Sequence, residues 1–217
     1  MLIPIRVDVP MSRRPWANYA LLSMTVVCSV VGFRNMSFFL DWAGITGYPR
    51  WISAITSSFL HAGWLHLVGN MLFLWIFGNA INYKFGHLGY LAFYLCGALV
   101  SGMAHYGFDG TPAVGASGAI NAVMGAFLIF FPRNDVTIVW IIWIAPGVGR
   151  ISSGWIIVYW VAWDVLYLLL GAQTGVALWA HVGGFLFGLA VAIVLAATGL
   201  VKPTQDEQTL LQVFHAR

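Results

Sequence analysis

Charge is what this sequence has least of. Only 8% of its 217 residues are Asp, Glu, Lys or Arg, against roughly 25% in ordinary soluble domains, and that deficit excludes a water-facing surface over most of the chain. Cysteine is nearly absent as well. Cys28 and Cys96 both fall inside apolar runs, where free thiols act as small packing residues, so neither a disulfide framework nor a redox compartment follows from them. The chain has no His-Glu-x-x-His run and no ordered set of carboxylates, so a metal or haem held by His61, His66 and His181 is a minor alternative, and no metal or cofactor is expected. The net charge is +3, yet the Lys and Arg residues are scattered singly or in pairs, which argues against a nucleic-acid surface.

What the chain has in excess is apolar length. Hydrophobic residues make up 60% and aromatics 16%, and the mean hydropathy is +0.85, so the lipid bilayer is the solvent and the chain is expected to be an all-α polytopic membrane protein. Six spans are predicted, at 17–33, 61–81, 88–106, 115–131, 154–171 and 177–198, each near the ~20 residues that cross ~30 Å of hydrocarbon. They form one membrane domain over 17–198, between an N-terminal segment 1–16 and a C-terminal tail 199–217, with no room for a second domain. The first span follows Arg6, Arg13 and Arg14 in the manner of a secretory signal, but it is long for one and no small-x-small cleavage site precedes a hydrophilic region, so it is read as retained. Residues 34–60 are apolar and rich in aromatics but broken by Gly44, Gly47 and Pro49, which suits a loop lying in the membrane interface. Residues 136–144, VTIVWIIWI, are too short to cross and end at Pro146-Gly147; an interfacial or re-entrant piece is expected there.

Basic residues orient the bundle, because cytoplasmic loops carry the excess of Lys and Arg. With the N-terminus inside, Arg6, Arg13, Arg14, Lys84, Arg133, Arg150, Lys202 and Arg217 all lie inside, and only Arg34 and Arg50 lie outside. Both termini are then cytoplasmic, and the tail after Pro203 is expected to be an exposed polar end.

Polar residues within spans are costly, and for an ionisable one function is the default hypothesis. His66 and Asn70 on the second span, Ser117 on the fourth and His181 on the sixth all fall in the outer third of the membrane, and Asn121 lies one turn beyond Ser117. Ser117, Asn121 and Gly125 share one helical stripe; His181, Gly184 and Gly188 share another. Gly184-x-x-x-Gly188 lets two membrane helices approach closely, which would bring the Ser117 hydroxyl to the His181 imidazole. That pair suits acyl transfer: a neutral imidazole takes the serine proton during attack and returns it to the leaving amine. Backbone N–H groups near Gly115 to Ser117, with the side chains of His66 and Asn70, are available to an oxyanion. Asp164, alone among acids within a span, is placed near the middle of the fifth span, below the site, so a dyad is preferred and Asp164 is expected to bond a neighbouring hydroxyl or amide. The duller accounts are an N-cap for Ser117, an interhelical bond for Asn70, loop ordering for His61, and exposure for His87 and His105.

HAGWLHLVGN at 61–70, GASGA at 115–119 and AHVGGFLFG at 180–188 together resemble the rhomboid family of intramembrane serine proteases, over roughly residues 50–198. The resemblance implies a six-helix rhomboid-like bundle with an interfacial loop between helices 1 and 2. It implies Ser117 as nucleophile, His181 as base, His66 and Asn70 as oxyanion donors, and Gly115, Gly118, Asn121, Gly184 and Gly188 as structural residues nearby. The substrates would be transmembrane proteins cut near the outer face without cofactor, and the compact core looks like that of a bacterial inner-membrane protein. The rival is a rhomboid-like protein that binds membrane-protein clients without cutting them. Two features depart from the family pattern: Asn121 stands where many members have an aromatic that packs on the histidine, and Trp51 follows Arg50 where some members have a Trp-Arg pair. Support for His181 is therefore expected from a hydrogen bond.

Overall fold

The computed structural model describes residues 2–46, 49–142, 145–172, 174–204 and 207–215; Gly47, the Trp143–Ile144 end of the short apolar stretch and Arg217 lie outside them. In chain order the elements are β1 (Leu2–Val7), α1 (Trp16–Arg34), α2 (Met36–Trp42), α3 (Arg50–Thr56), α4 (Trp64–Phe73), α5 (Asn79–Phe108), α6 (Ser117–Phe130), β2 (Asp135–Ile142), β3 (Ala145–Ser152), α7 (Ser153–Leu169), α8 (Leu178–Ala197) and α9 (Leu210–His215). The fold is mostly helical, as expected. α1, the continuous tract Trp64–Phe108 and α8 are long and apolar enough to cross a bilayer, and α6 and α7 are shorter apolar helices. A π-helical turn at Leu74–Gly78 joins α4 to α5. Further on, Gly86 takes φ 72° and ψ 173°, a conformation open only to glycine. It bends the tract between the second and third predicted spans. Residues 34–60 do not cross: α2 and α3 have seven residues each, about 10 Å of helix.

α6 is the centre. Every residue from Gly118 to Phe130 is buried, so this helix is wrapped by others rather than facing lipid. α8 lies against it backbone to backbone. A Cβ added at Gly184 would stand 2.1 Å from the Gly118 carbonyl oxygen, one at Gly188 1.9 Å from that of Ala122, and one at Gly125 2.4 Å from that of Phe185. Lipid gives no hydrophobic drive for helices to associate, so such close packing supplies the attraction instead. The outer helices present the opposite character, with Trp155, Leu169, Leu65 and Leu88 among many exposed apolar side chains.

One end of the bundle is closed by polar groups that satisfy each other. Asn18 Nδ2 donates to the Leu74 carbonyl at 2.9 Å and to Asn79 Oδ1 at 2.8 Å, while Asn18 Oδ1 accepts from the Tyr90 hydroxyl at 2.6 Å. The wide turn at Leu74–Gly78 thus has its carbonyl met, and Gly78 leaves the space: a Cβ there would fall 2.6 Å from Asn18 Oδ1. At the same end lies an element absent from the sequence-based expectation. The N-terminal segment and the short apolar stretch form an antiparallel sheet in the order β1-β2-β3, with Thr137 opposite Arg6 on one side and Arg150 on the other. Alternation explains it: Val136 and Ile138 are buried while Thr137 and Val139 are only partly so, the period of a strand with one face on the core. Trp140 lies over Gly147 and Gly149, where a Cβ would meet its ring at 2.4 and 2.7 Å.

The tail also differs from expectation. Far from being an exposed end, it folds back: Glu207 and Thr209 are buried, and Glu207 pairs with Lys84, both side chains at most 5% exposed. The Lys84 ammonium sits 5.5 Å from the Phe130 ring, under the end of α6 and away from water, so it requires a counter-charge that the tail supplies.

Two outcomes are expected. Gly188→Ala should abolish the folded protein or lower Tm steeply in detergent, because backbone must move to admit the methyl. Gly107→Ala, where a Cβ meets nothing within 4 Å, should leave Tm unchanged; equal tolerance of both would contradict the packing. Glu207→Gln should cost about 3 kcal/mol by leaving Lys84 buried and unpaired, with Lys84→Met recovering most of the loss. An unaltered Tm in Glu207→Gln would show the pair to be dispensable.

Candidate active site

α6 has 14 residues, about 21 Å of helix and well short of ~30 Å of hydrocarbon. It cannot reach both faces, and its first residue lines a cavity in the bundle. That residue is Ser117; the N-cap is Ala116, and no side chain caps the helix. The capping account of Ser117 thus does not hold. Among the described residues its hydroxyl has no hydrogen-bond partner, and the N–H groups of the first turn, with the positive end of the helix dipole, point the same way.

The approach to Ser117 is fixed by a relay. The Gly115 N–H donates to the Ser57 carbonyl at 3.0 Å, and the Ala116 N–H donates to His61 Nε2 at 3.4 Å. Because Nε2 accepts, Nδ1 carries the proton and meets Ser29 Oγ at 2.9 Å, and Ser29 in turn donates to the Phe59 carbonyl at 3.0 Å. His61, buried completely, orders the loop. Gly115 has φ 127°, and a Cβ there would lie 2.8 Å from the His66 ring and 3.8 Å from Ser117 Oγ, so glycine lets the imidazole close over the loop. The surrounding segment is tied down too: Arg50 stacks over Tyr106 at 5.5 Å, and Gly102 admits Ala54 against α5.

A cavity of about 1080 Å³ opens at this end of the bundle, away from the sheet, and is lined by His66, Asn70, Ser117, Asn121, Asp164 and His181 among others. All the sequence-predicted polar residues thus meet in one place. Gly118, Gly184 and Gly188 lie in the α6–α8 seam beside it. Asn70 Nδ2 donates to the His66 carbonyl at 3.1 Å, and Asn121 Nδ2 to the Ser117 carbonyl at 3.0 Å. His181 is the fourth residue of α8. Among the described residues its Nε2 is buried without a hydrogen-bond partner, so Ser117 Oγ is not bonded to it in this structure. Nδ1 is 2.9 Å from Asp164 Oδ2.

Three expectations need correction. Asp164 bonds neither a hydroxyl nor an amide but the imidazole: α7 ends at Leu169, so Asp164, twelfth of its seventeen residues, lies near the cavity rather than at mid-membrane. The hydrogen bond to His181 comes from Asp164 and not from Asn121. His105 is not exposed. It is 5% accessible, lines the cavity and has Nε2 3.3 Å from Thr111 Oγ1, because the last turns of α5 still face the bundle. The signal for Asp164 was present in its isolation as an acid among apolar neighbours.

An apolar helical bundle with a cavity at one end that gathers several polar side chains is the architecture of an integral membrane protein. A rhomboid domain model matches residues 48–198. Over 151 residues the chain is 33% identical to presenilin-associated rhomboid-like protein A, mitochondrial, of Danio rerio, covering 64% of this chain and 36% of that protein. Over 177 residues it is 25% identical to rhomboid protease GlpG of Salmonella paratyphi A, covering 81% of this chain and 60% of that protein. The match thus spans between about a third and three fifths of these relatives' lengths. The chain belongs to the rhomboid family.

His61→Ala should strip the Ala116 amide of its acceptor, at a cost of about 1–3 kcal/mol. Hydrogen exchange reads it directly: protection at residues 115–117 should fall while that of the α6 interior is kept, and undiminished protection would remove His61 from the account.

Proposed function

We propose that the chain is an intramembrane serine endopeptidase that cuts transmembrane segments of other proteins near the outer face. The observation that carries this is the meeting of Ser117, His181, His66 and Asn70 in one cavity, although they come from three separated stretches of sequence. Ser117 Oγ attacks the scissile carbonyl carbon as His181 Nε2 takes its proton. The resulting oxyanion is met by the first-turn N–H groups of α6 and by the side chains of His66 and Asn70. His181 then protonates the leaving amine, and water releases the acyl group by the same steps in reverse. The unpartnered Nε2 is the atom this sequence of steps requires to be free of other bonds. Closure to hydrogen-bonding distance belongs to the substrate-bound state, since apo geometry is often longer.

Water must reach the site, and the cavity gives it a route from the surface. A substrate helix must unwind locally to expose its amides, which favours small or helix-destabilising residues near the cut. Orientation follows the charges: Arg6, Lys84, Arg133 and Arg150 gather at the sheet end, while Arg34 and Arg50 lie at the cavity end. The positive-inside rule then supports a cytoplasmic sheet and termini with the cavity outside, and the compact core favours a bacterial inner membrane as its setting.

Purified protein in liposomes with a single-span substrate tests the reading. Ser117→Ala and His181→Ala should abolish cleavage, and His66→Ala or Asn70→Ala should each lower kcat by roughly 10²- to 10³-fold. Cleavage that persists in Ser117→Ala would rule out the serine mechanism, and failure to cut any of a substrate panel would favour a client-binding role.

A further inference from the structure

We propose that Asp164 is a positioning residue for His181, so that the serine and histidine of the proposed protease work with a third member carried on α7. This rests on the proteolytic reading above. Asp164 Oδ2 and His181 Nδ1 are 2.9 Å apart, with side chains 22% and 14% exposed. A carboxylate only accepts, so the proton of the neutral imidazole must sit on Nδ1. That leaves the lone pair on Nε2, the nitrogen that is buried and unpartnered and that would receive the Ser117 proton. When it does, the positive charge that forms on the ring lies beside the Asp164 carboxylate.

The setting of α7 gives the bond a second consequence. Its buried side chains are Ser153, Ile156 and Ile157, all in the first turns, where the Ser153 N–H donates to the Asn134 carbonyl at 2.8 Å and the Gly154 N–H to that of Pro132 at 3.0 Å. Beyond this anchored end, the bond to His181 is, among the described residues, the one side-chain hydrogen bond α7 makes. Removing it should therefore free the part of α7 beyond Trp160, which packs on Phe73 and Phe77, without narrowing the way in, so KM should not rise.

Asp164→Asn separates orientation from mere tethering. The amide keeps the size and can still bond the ring, but it lacks the charge and can donate to Nδ1, which stabilises the wrong tautomer. Measured with a single-span substrate in liposomes, kcat should fall by roughly 10²-fold or more, with KM not raised and Tm held. Asp164→Glu should restore part of kcat. A kcat for Asp164→Asn within about threefold of the parent, or a loss confined to KM and Tm, would overturn the proposal. Ser117→Ala, assayed beside them, keeps two failures apart. If it still cuts, the serine mechanism falls and this proposal with it; if it is dead while Asp164→Asn is active, only the role of Asp164 is refuted.

Discussion

The contact between α6 and α8 is the constraint on which the rest depends. In lipid two apolar helices gain little from hiding their side chains from one another, and what holds these two is the fit of bare backbone on backbone at Gly184 and Gly188. The same contact sets register. Gly118 touches Gly184; the first follows Ser117 by one residue and the second follows His181 by three, so the seam brings the opening turns of both helices side by side. That place lines the cavity, with Ser117 and His181 on its wall. Stability and the proposed chemistry share one physical cause, and a methyl group in the seam would disturb both.

Hydrogen bonding divides the molecule into two unlike ends. At the sheet end the polar groups are closed in on themselves: Asn18 serves Leu74, Asn79 and Tyr90, and Lys84 has Glu207. At the cavity end valences stay open. Among the described residues His181 Nε2 and His105 Nδ1 are buried without partners, and Ser117 Oγ faces the cavity unbonded. Unmet polar groups are expensive below a membrane surface, and their concentration around a water-accessible hollow is what a reacting site requires.

Much of this was legible in the sequence because membranes impose coarse rules. Spans could be read from apolar length, the α6–α8 seam from the spacing of Gly184 and Gly188, the break near Gly86 from interrupted hydropathy, and the cavity residues from their common depth. What escaped depended on partners far along the chain. Strand alternation in 136–142 was masked by uniform hydrophobicity, since Val139 and Trp140 are apolar on both faces. Lys84 gave no hint that Glu207, 123 residues on, would meet it. Asp164 was misread because its partner, His181, stands 17 residues on and on another helix, and no local pattern joins the two. The tautomer of His61 depends on Ala116 and Ser29, which no local motif joins.

The central claim is spatial: one hydroxyl and one imidazole, from α6 and α8, act together within the cavity. The most direct measurement is a crystal structure of the protein inactivated with a serine-reactive phosphonate. The account predicts a bond from phosphorus to Ser117 Oγ, the phosphonyl oxygen turned toward the first turn of α6 with His66 and Asn70 beside it, and His181 Nε2 drawn into hydrogen-bond range of the adduct. An adduct on another residue, or His181 turned away from a phosphonylated Ser117, would contradict it.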